Sequence, residues 1–153
     1  MIELLQVGGD DARLERLMQL YLYEWSGLLP VPIEADARFR YADMAAYEDR
    51  EGHAAYLFLD GEVPIGFGLV AKHGEGAWRV AELFLIAGAR GGGLGADLAR
   101  RLLATRPGPW TWTVRPERPA ALAFWRRAFP TASEAVEVGA DGITRTRMHV
   151  TVS

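Results

Sequence analysis

The stretch Arg90-Gly91-Gly92-Gly93-Leu94-Gly95-Ala96 has the composition of an anion-binding turn. Glycine enters backbone conformations that other residues avoid, and it lets a ligand approach the amides closely. A helix is predicted to run from Gly93 to about Thr105, with Leu94, Leu98, Leu102 and Leu103 on its apolar face. Its first amides have no carbonyl partner inside the helix, and the aligned peptide dipoles add partial positive charge there. Together these features suit a pyrophosphate. Arg90 adds a full charge and several donors.

Two other phosphate-binding patterns compete for the same residues. Gly91-x-Gly93-x-x-Ala96 fits the loose dinucleotide fingerprint, which requires an acidic residue about 20 positions further on. Val114 and Arg115 stand there instead. A mononucleotide P-loop needs Gly-Lys-Ser/Thr, which the stretch lacks. A plain strand-to-helix turn is the bland alternative.

The 153-residue chain is long enough for one domain with a single core, and no linker or internal repeat interrupts it. Its net charge of -3 provides no global positive field for nucleic acid. Cysteine is absent, which excludes disulfides and thiolate chemistry and is compatible with a reducing cytoplasm. His53, His73 and His149 are scattered, so no metal site is expected. The N-terminus lacks the basic start and apolar core of a signal peptide, and no apolar run approaches the ~20 residues that span a bilayer. A cytoplasmic protein without membrane contact is the expectation.

The elements that must position the loop follow from pattern. Ile2 to Val7 reads as a strand, and Asp10 or Asp11 can cap the next helix. Leu14, Leu17, Met18, Tyr21 and Leu22 supply that helix's buried face, and it weakens at Ser26-Gly27. Leu28 to Arg38 is a loop, and a second helix is expected near Tyr41 to Arg50. Ala54 to Leu59, Pro64 to Lys72 and Trp78 to Ile86 form an antiparallel meander, turned first at Asp60-Gly61 and then at Gly74-Glu75-Gly76. Beyond the glycine loop and its helix, Trp110 to Val114 is a strand and Pro119 to Phe129 a helix. A hairpin of Ala135 to Val138 and Ile143 to Val150 closes the chain.

Arg90-Gly91-Gly92-Gly93-Leu94-Gly95 matches the Arg/Gln-x-x-Gly-x-Gly/Ala signature of the GCN5-related N-acetyltransferases, the GNAT superfamily. The Ala-Glu-Leu-Phe-Leu strand before it and the Pro-Ala-Ala-Leu-Ala-Phe-Trp-Arg-Arg segment from Pro119 to Arg127 fall where that family has further motifs. The order β-α-α-β-β-β-α-β-α-β-β resembles its α/β fold along nearly the whole chain. Within the superfamily the chain is most similar to small bacterial acetyltransferases with a Phe-Trp-Arg-Arg helix. The resemblance implies a mixed, mostly antiparallel central sheet with helices on both faces. It also implies acetyl-coenzyme A as co-substrate, no metal, and an acceptor that is a small-molecule or peptide amine. Gly91, Gly92, Gly93, Gly95 and Ala96 would hold the pyrophosphate through their amides, with Arg90 beside them. Leu85 would pair its backbone with the pantetheine arm, in a gap between its strand and that of Trp110.

Acetyl transfer by direct attack needs a neutral amine and a proton for the departing thiolate. Glu82, on the strand of Leu85 and flanked by apolar residues, is the candidate general base; it can equally anchor an ammonium or face solvent. Many relatives use a tyrosine acid where this chain has Phe124-Trp125, and indole is no useful acid. Water, Tyr23 or Tyr41 would then supply the proton. Arg118 stands where most relatives have asparagine, and either contacts phosphate or is solvated. Trp110, Trp112, Phe124 and Trp125 either line an acceptor channel or form core. Tyr23, Glu24 and Trp25 lie where the family shapes its substrate pocket. Arg145 and Arg147 read as an exposed face or a dimer edge. A coenzyme A-binding regulatory module without turnover remains the alternative to an enzyme.

Overall fold

The computed structural model describes residues 1–153, which divide into two compact units, Met1–Leu69 with Glu82–Ala89 and Val70–Ala81 with Arg90–Ser153. In the first unit, β1 (Ile2–Val7) pairs antiparallel with β2 (His53–Asp60), from Ile2 opposite Asp60 to Val7 opposite Ala55. Asp11 opens α1 (Ala12–Ser26) by accepting the Arg13 backbone N–H at 2.9 Å. Leu14, Leu17, Met18, Tyr21 and Leu22 are its buried residues, as their helical spacing requires.

The segment after α1 is more ordered than its composition suggests. Ile33 bridges Phe39, and the Gln19 amide group clasps the Phe39 backbone, donating at 2.7 Å and accepting at 2.8 Å. The helix expected near Tyr41 to Arg50 is a 3₁₀ helix over Ala42–Glu48 instead. Tyr47 alone is buried there, so no apolar stripe exists to stabilise successive α-helical turns.

The turn after β2 leads into β3 (Val63–Lys72). Ala54 to Leu59 and Ile65 to Ala71 are buried without interruption, so both faces of these strands are covered. Gly66 is required by close approach: a Cβ there would run into the carbonyl oxygen of Phe84 on β4 (Trp78–Leu85).

In the second unit, α2 (Leu94–Ala104) precedes β5 (Gly108–Val114), and α3 (Pro119–Ala128) follows it. Parallel pairing joins β4 to β5 through Trp78 opposite Trp110 and Arg79 opposite Thr111. The remaining strands, β6 (Ser133–Val138) and β7 (Thr144–Val152), form an antiparallel hairpin, and β7 also pairs antiparallel with β5. The seven strands run in the order β1-β2-β3-β4-β5-β7-β6, mostly antiparallel. The sheet ends at β6, not at β7. Arg145 and Arg147 on β7 are accordingly not an outer edge. Each is part-buried and tied to a carboxylate, Arg145 to Asp141 at 2.7 Å and Arg147 to Glu137 at 2.8 Å. Arg147 also donates to the buried Thr111 hydroxyl, which itself donates to the Met148 carbonyl. Burying that hydroxyl without partners would be costly.

Candidate active site

The glycine loop takes a conformation that ordinary residues resist. Gly91, Gly92 and Gly93 all have positive φ, at 94°, 65° and 82°. A side chain in this region costs about 1–2 kcal/mol per residue. A Cβ built on any of the three would meet no protein atom, so the requirement for glycine here is conformational, and the space beside the loop is open. Gly93 is the residue that opens α2, and no side chain caps that helix. Gly95 and Ala96 lie in its first turn, half-buried, while Arg90, Gly91, Gly92 and Gly93 are exposed. An open helix start beside exposed backbone can take an anion without moving the chain.

Glu82 lies in the first unit, part-exposed on β4. Tyr21 from α1 donates its hydroxyl to Oε2 of the carboxylate. Tyr41, just before the 3₁₀ helix, donates to Oε1 at 3.4 Å. Burial pushes the Tyr21 hydroxyl well above the usual tyrosine range, and the Glu82 charge beside it adds to the effect. Tyr21 therefore stays protonated and a donor at any ordinary pH. Its ring packs edge-on against Trp25, Phe67 and Phe84, which fixes the hydroxyl's direction.

Leu85 is buried at the end of β4, and the short 3₁₀ turn Ala87–Ala89 connects it to Arg90. Of the two tyrosines considered as proton donors, Tyr41 reaches the Glu82 carboxylate, whereas Tyr23 is 63% exposed on the outer face of α1. Tyr21 escaped the sequence reading, which assigned it to the helix core. The signal was available: a tyrosine on a buried stripe must find a partner for its hydroxyl.

Trp110, Trp112 and Trp125 are core, whereas Phe124 is half-buried. Trp110 is 1% exposed and gives its indole N–H to the Arg106 carbonyl at 2.8 Å. Trp125 is 8% exposed and lies against Trp112 and Phe129, with ring centroids 4.6 and 6.2 Å away. Arg118 occupies the N-cap position of α3 and caps nothing with its side chain.

Comparison with solved structures assigns the fold to a known class. The chain superposes on an acetyltransferase from Thermus thermophilus with a TM-score of 0.76 at 19% identity, covering 99% of this chain and 97% of that one. An IAA acetyltransferase from Bacillus cereus gives 0.65 at 12% identity, with 99% and 100% covered. AAC(6')-Ib in complex with ribostamycin and coenzyme A gives 0.70 at 19% identity, with 98% and 93% covered. These proteins share an acetyltransferase fold, and this chain has it. A search of curated protein sequences finds no significant match. The profile of the acetyltransferase (GNAT) family matches residues 14–129, and the chain belongs to that family.

Proposed function

We propose that residues 1–153 act as one acyltransferase domain that moves an acetyl group from acetyl-coenzyme A to a primary amine of a small molecule or peptide. The observation that carries this reading is the run of three left-handed glycines opening into an uncapped α2. In the proposal, the amides of Gly91, Gly92, Gly93, Gly95 and Ala96 bind the diphosphate, and Arg90 adds charge beside them. The open space where a Cβ would project from Gly91, Gly92 and Gly93 agrees with a ligand lying close against the backbone. Leu85 directs the pantetheine arm along the end of β4. The thioester supplies an activated acetyl group. Glu82 takes the proton of the attacking amine, and its two tyrosine partners hold the carboxylate in place. The complexes of structural relatives with ribostamycin or kanamycin and coenzyme A support an amine acceptor as a class.

Thermal-shift titration with coenzyme A, ATP and NAD tests the ligand. Only coenzyme A should stabilise the protein, because a ligand that binds the folded state raises its stability by mass action. Stabilisation by ATP or NAD alone would reject the proposal. Thiol release from acetyl-coenzyme A with a panel of amines tests the reaction. Glu82→Gln should lower turnover by roughly 10²–10⁴-fold and leave coenzyme binding intact.

A second reading, a coenzyme A-binding module without turnover, is favoured by one observation. Trp125, at the place where many relatives carry a tyrosine acid, is locked in a stack of rings. Tight coenzyme binding without turnover on any acceptor would select it.

A further inference from the structure

Five half-buried arginines pair with carboxylates: Arg13 with Asp11, Arg101 with Asp97, Arg115 with Glu117, Arg145 with Asp141 and Arg147 with Glu137. A sixth, Arg106, lies over the Trp78 ring, 4.3 Å from its centroid. Arg79 on β4 is half-buried as well, and has neither a carboxylate nor a ring against it. A guanidinium taken partly out of water without an anion loses hydration that nothing offsets.

The surroundings of Arg79 favour an anion. Arg79 stands opposite Thr111 on β5, and Thr111 stands opposite His149 on β7, so the three share one face of the sheet. Arg147 reaches the same face, where it donates to the Thr111 hydroxyl at 3.1 Å. Glu137 is committed to Arg147 through both oxygens, and Asp141 to Arg145 in the same way. Thr111 gives its own proton to the Met148 carbonyl at 2.9 Å, so the donors for an anion come from Arg79 itself. Trp110 and Trp112 mark the helix side of β5: Trp110 bonds the Arg106 carbonyl just beyond α2, and Trp112 packs against Trp125 of α3. The Arg79 face is the opposite one and carries neither helix.

We propose that Arg79 anchors a carboxylate of the acceptor, so that the preferred amine also carries a carboxyl group, as an amino acid does. The proposal rests on the acetyl-transfer reading and names its substrate class. A carboxylate fits better than a phosphate for two reasons. The planar guanidinium matches two coplanar oxygens with two parallel N–H donors, and one negative charge balances the one unpaired arginine.

The test sets a panel of amino acids against their decarboxylated amines, lysine against cadaverine and phenylalanine against phenethylamine among them, by thiol release from acetyl-coenzyme A. The carboxylated member should have a kcat/KM at least about tenfold higher, the usual weight of a hydrogen bond to a charged group. Arg79→Gln should bring that ratio close to one, mainly through KM. Equal use of both members by the unsubstituted chain, or a ratio that survives Arg79→Gln, overturns the proposal. A second measurement needs no turnover. In the full chain labelled with nitrogen-15 arginine, the Arg79 Nε–H signal is assigned by its loss in Arg79→Gln. It is then titrated with N-acetylglycine and with N-methylacetamide, the same product without its carboxyl group. The signal should shift saturably with N-acetylglycine alone. No shift, or an equal shift with N-methylacetamide or inorganic phosphate, rejects the carboxylate site. Should Arg79→Gln fail to fold in a thermal melt, Arg79→Lys, which keeps the charge and loses the fork, serves for the assignment and the ratio. Absence of thiol release with every amine removes the acetyl-transfer reading, while the titration still judges the site.

Discussion

The first and second α-helices both begin after glycines, Gly8-Gly9 before α1 and Gly91 to Gly93 before α2, yet their opening turns are completed in opposite ways. At α1 the cap residue Asp11 is extended, at φ -63° and ψ 124°, and its carboxylate accepts the Arg13 amide while also pairing the Arg13 guanidinium. That helix start is satisfied from within. At α2 the cap residue is a left-handed Gly93 with no side chain to offer. The same backbone physics that makes Asp11 useful at one helix leaves the other able to serve a ligand. One helix start is closed by its own side chain, and under the proposed function the open one takes the coenzyme.

Closing the open start should have the largest effect. Ala96→Glu places a carboxylate in the first turn of α2, where it competes for the amides and repels a diphosphate. Coenzyme A affinity measured by calorimetry should fall at least about tenfold, equivalent to ~1.4 kcal/mol. The helix itself should gain about 0.3–1 kcal/mol from the favourable dipole interaction. Binding and stability would thus move in opposite directions. If both stayed unchanged, the loop would not be the anion site.

Opening the closed start should do the converse. Asp11→Ala should destabilise the protein by about 1 kcal/mol and leave coenzyme A affinity where it was. The expected fall in melting temperature is about 2–4 °C for a chain of this length. Loss of coenzyme binding in this variant would mean that α1 takes part in the site after all.

The smallest effect separates the two helices by pH. The Arg13 guanidinium and the amides of the first turn hold the Asp11 carboxyl below the usual carboxylate range, despite some burial acting the other way. Its contribution to stability is therefore fully present above about pH 4, the unfolded value. It is lost as the pH falls through the lower folded value. Hydrogen exchange, corrected for its intrinsic rate, should show looser amides in Arg13 to Glu15 in that acid window. The amides of Leu94 to Ala96, which have no side-chain cap to protonate, should not change in the same way.

The glycine loop was legible because it is local. Three glycines, an arginine and a following apolar stripe specify turn and helix from one stretch of chain, and the structure gives those glycines the positive φ that only glycine adopts at little cost. The buried face of α1 was legible for the same reason, since helical periodicity is written in consecutive residues. The segment from Tyr41 to Arg50 was misread as an α-helix because its tertiary packing buries Tyr47 alone, and propensity by itself does not sustain several turns. Arg145 and Arg147 were misplaced because strand order decides which side of β7 meets solvent, and nothing within the hairpin announces that β6 is outermost.

The surroundings of Glu82 show where the boundary lies. Tyr21 is 61 positions away in sequence and Tyr41 is 41. Composition and spacing determined the elements, the conformational demand for glycine, and the presence of a carboxylate on the strand that leads to the loop. Only the tertiary structure decided that two tyrosine hydroxyls grip that carboxylate, and which oxygen each one takes. The physical reason is range: helix periodicity and turn chemistry act between near neighbours, while a hydrogen bond across the fold exists only once distant segments have packed together.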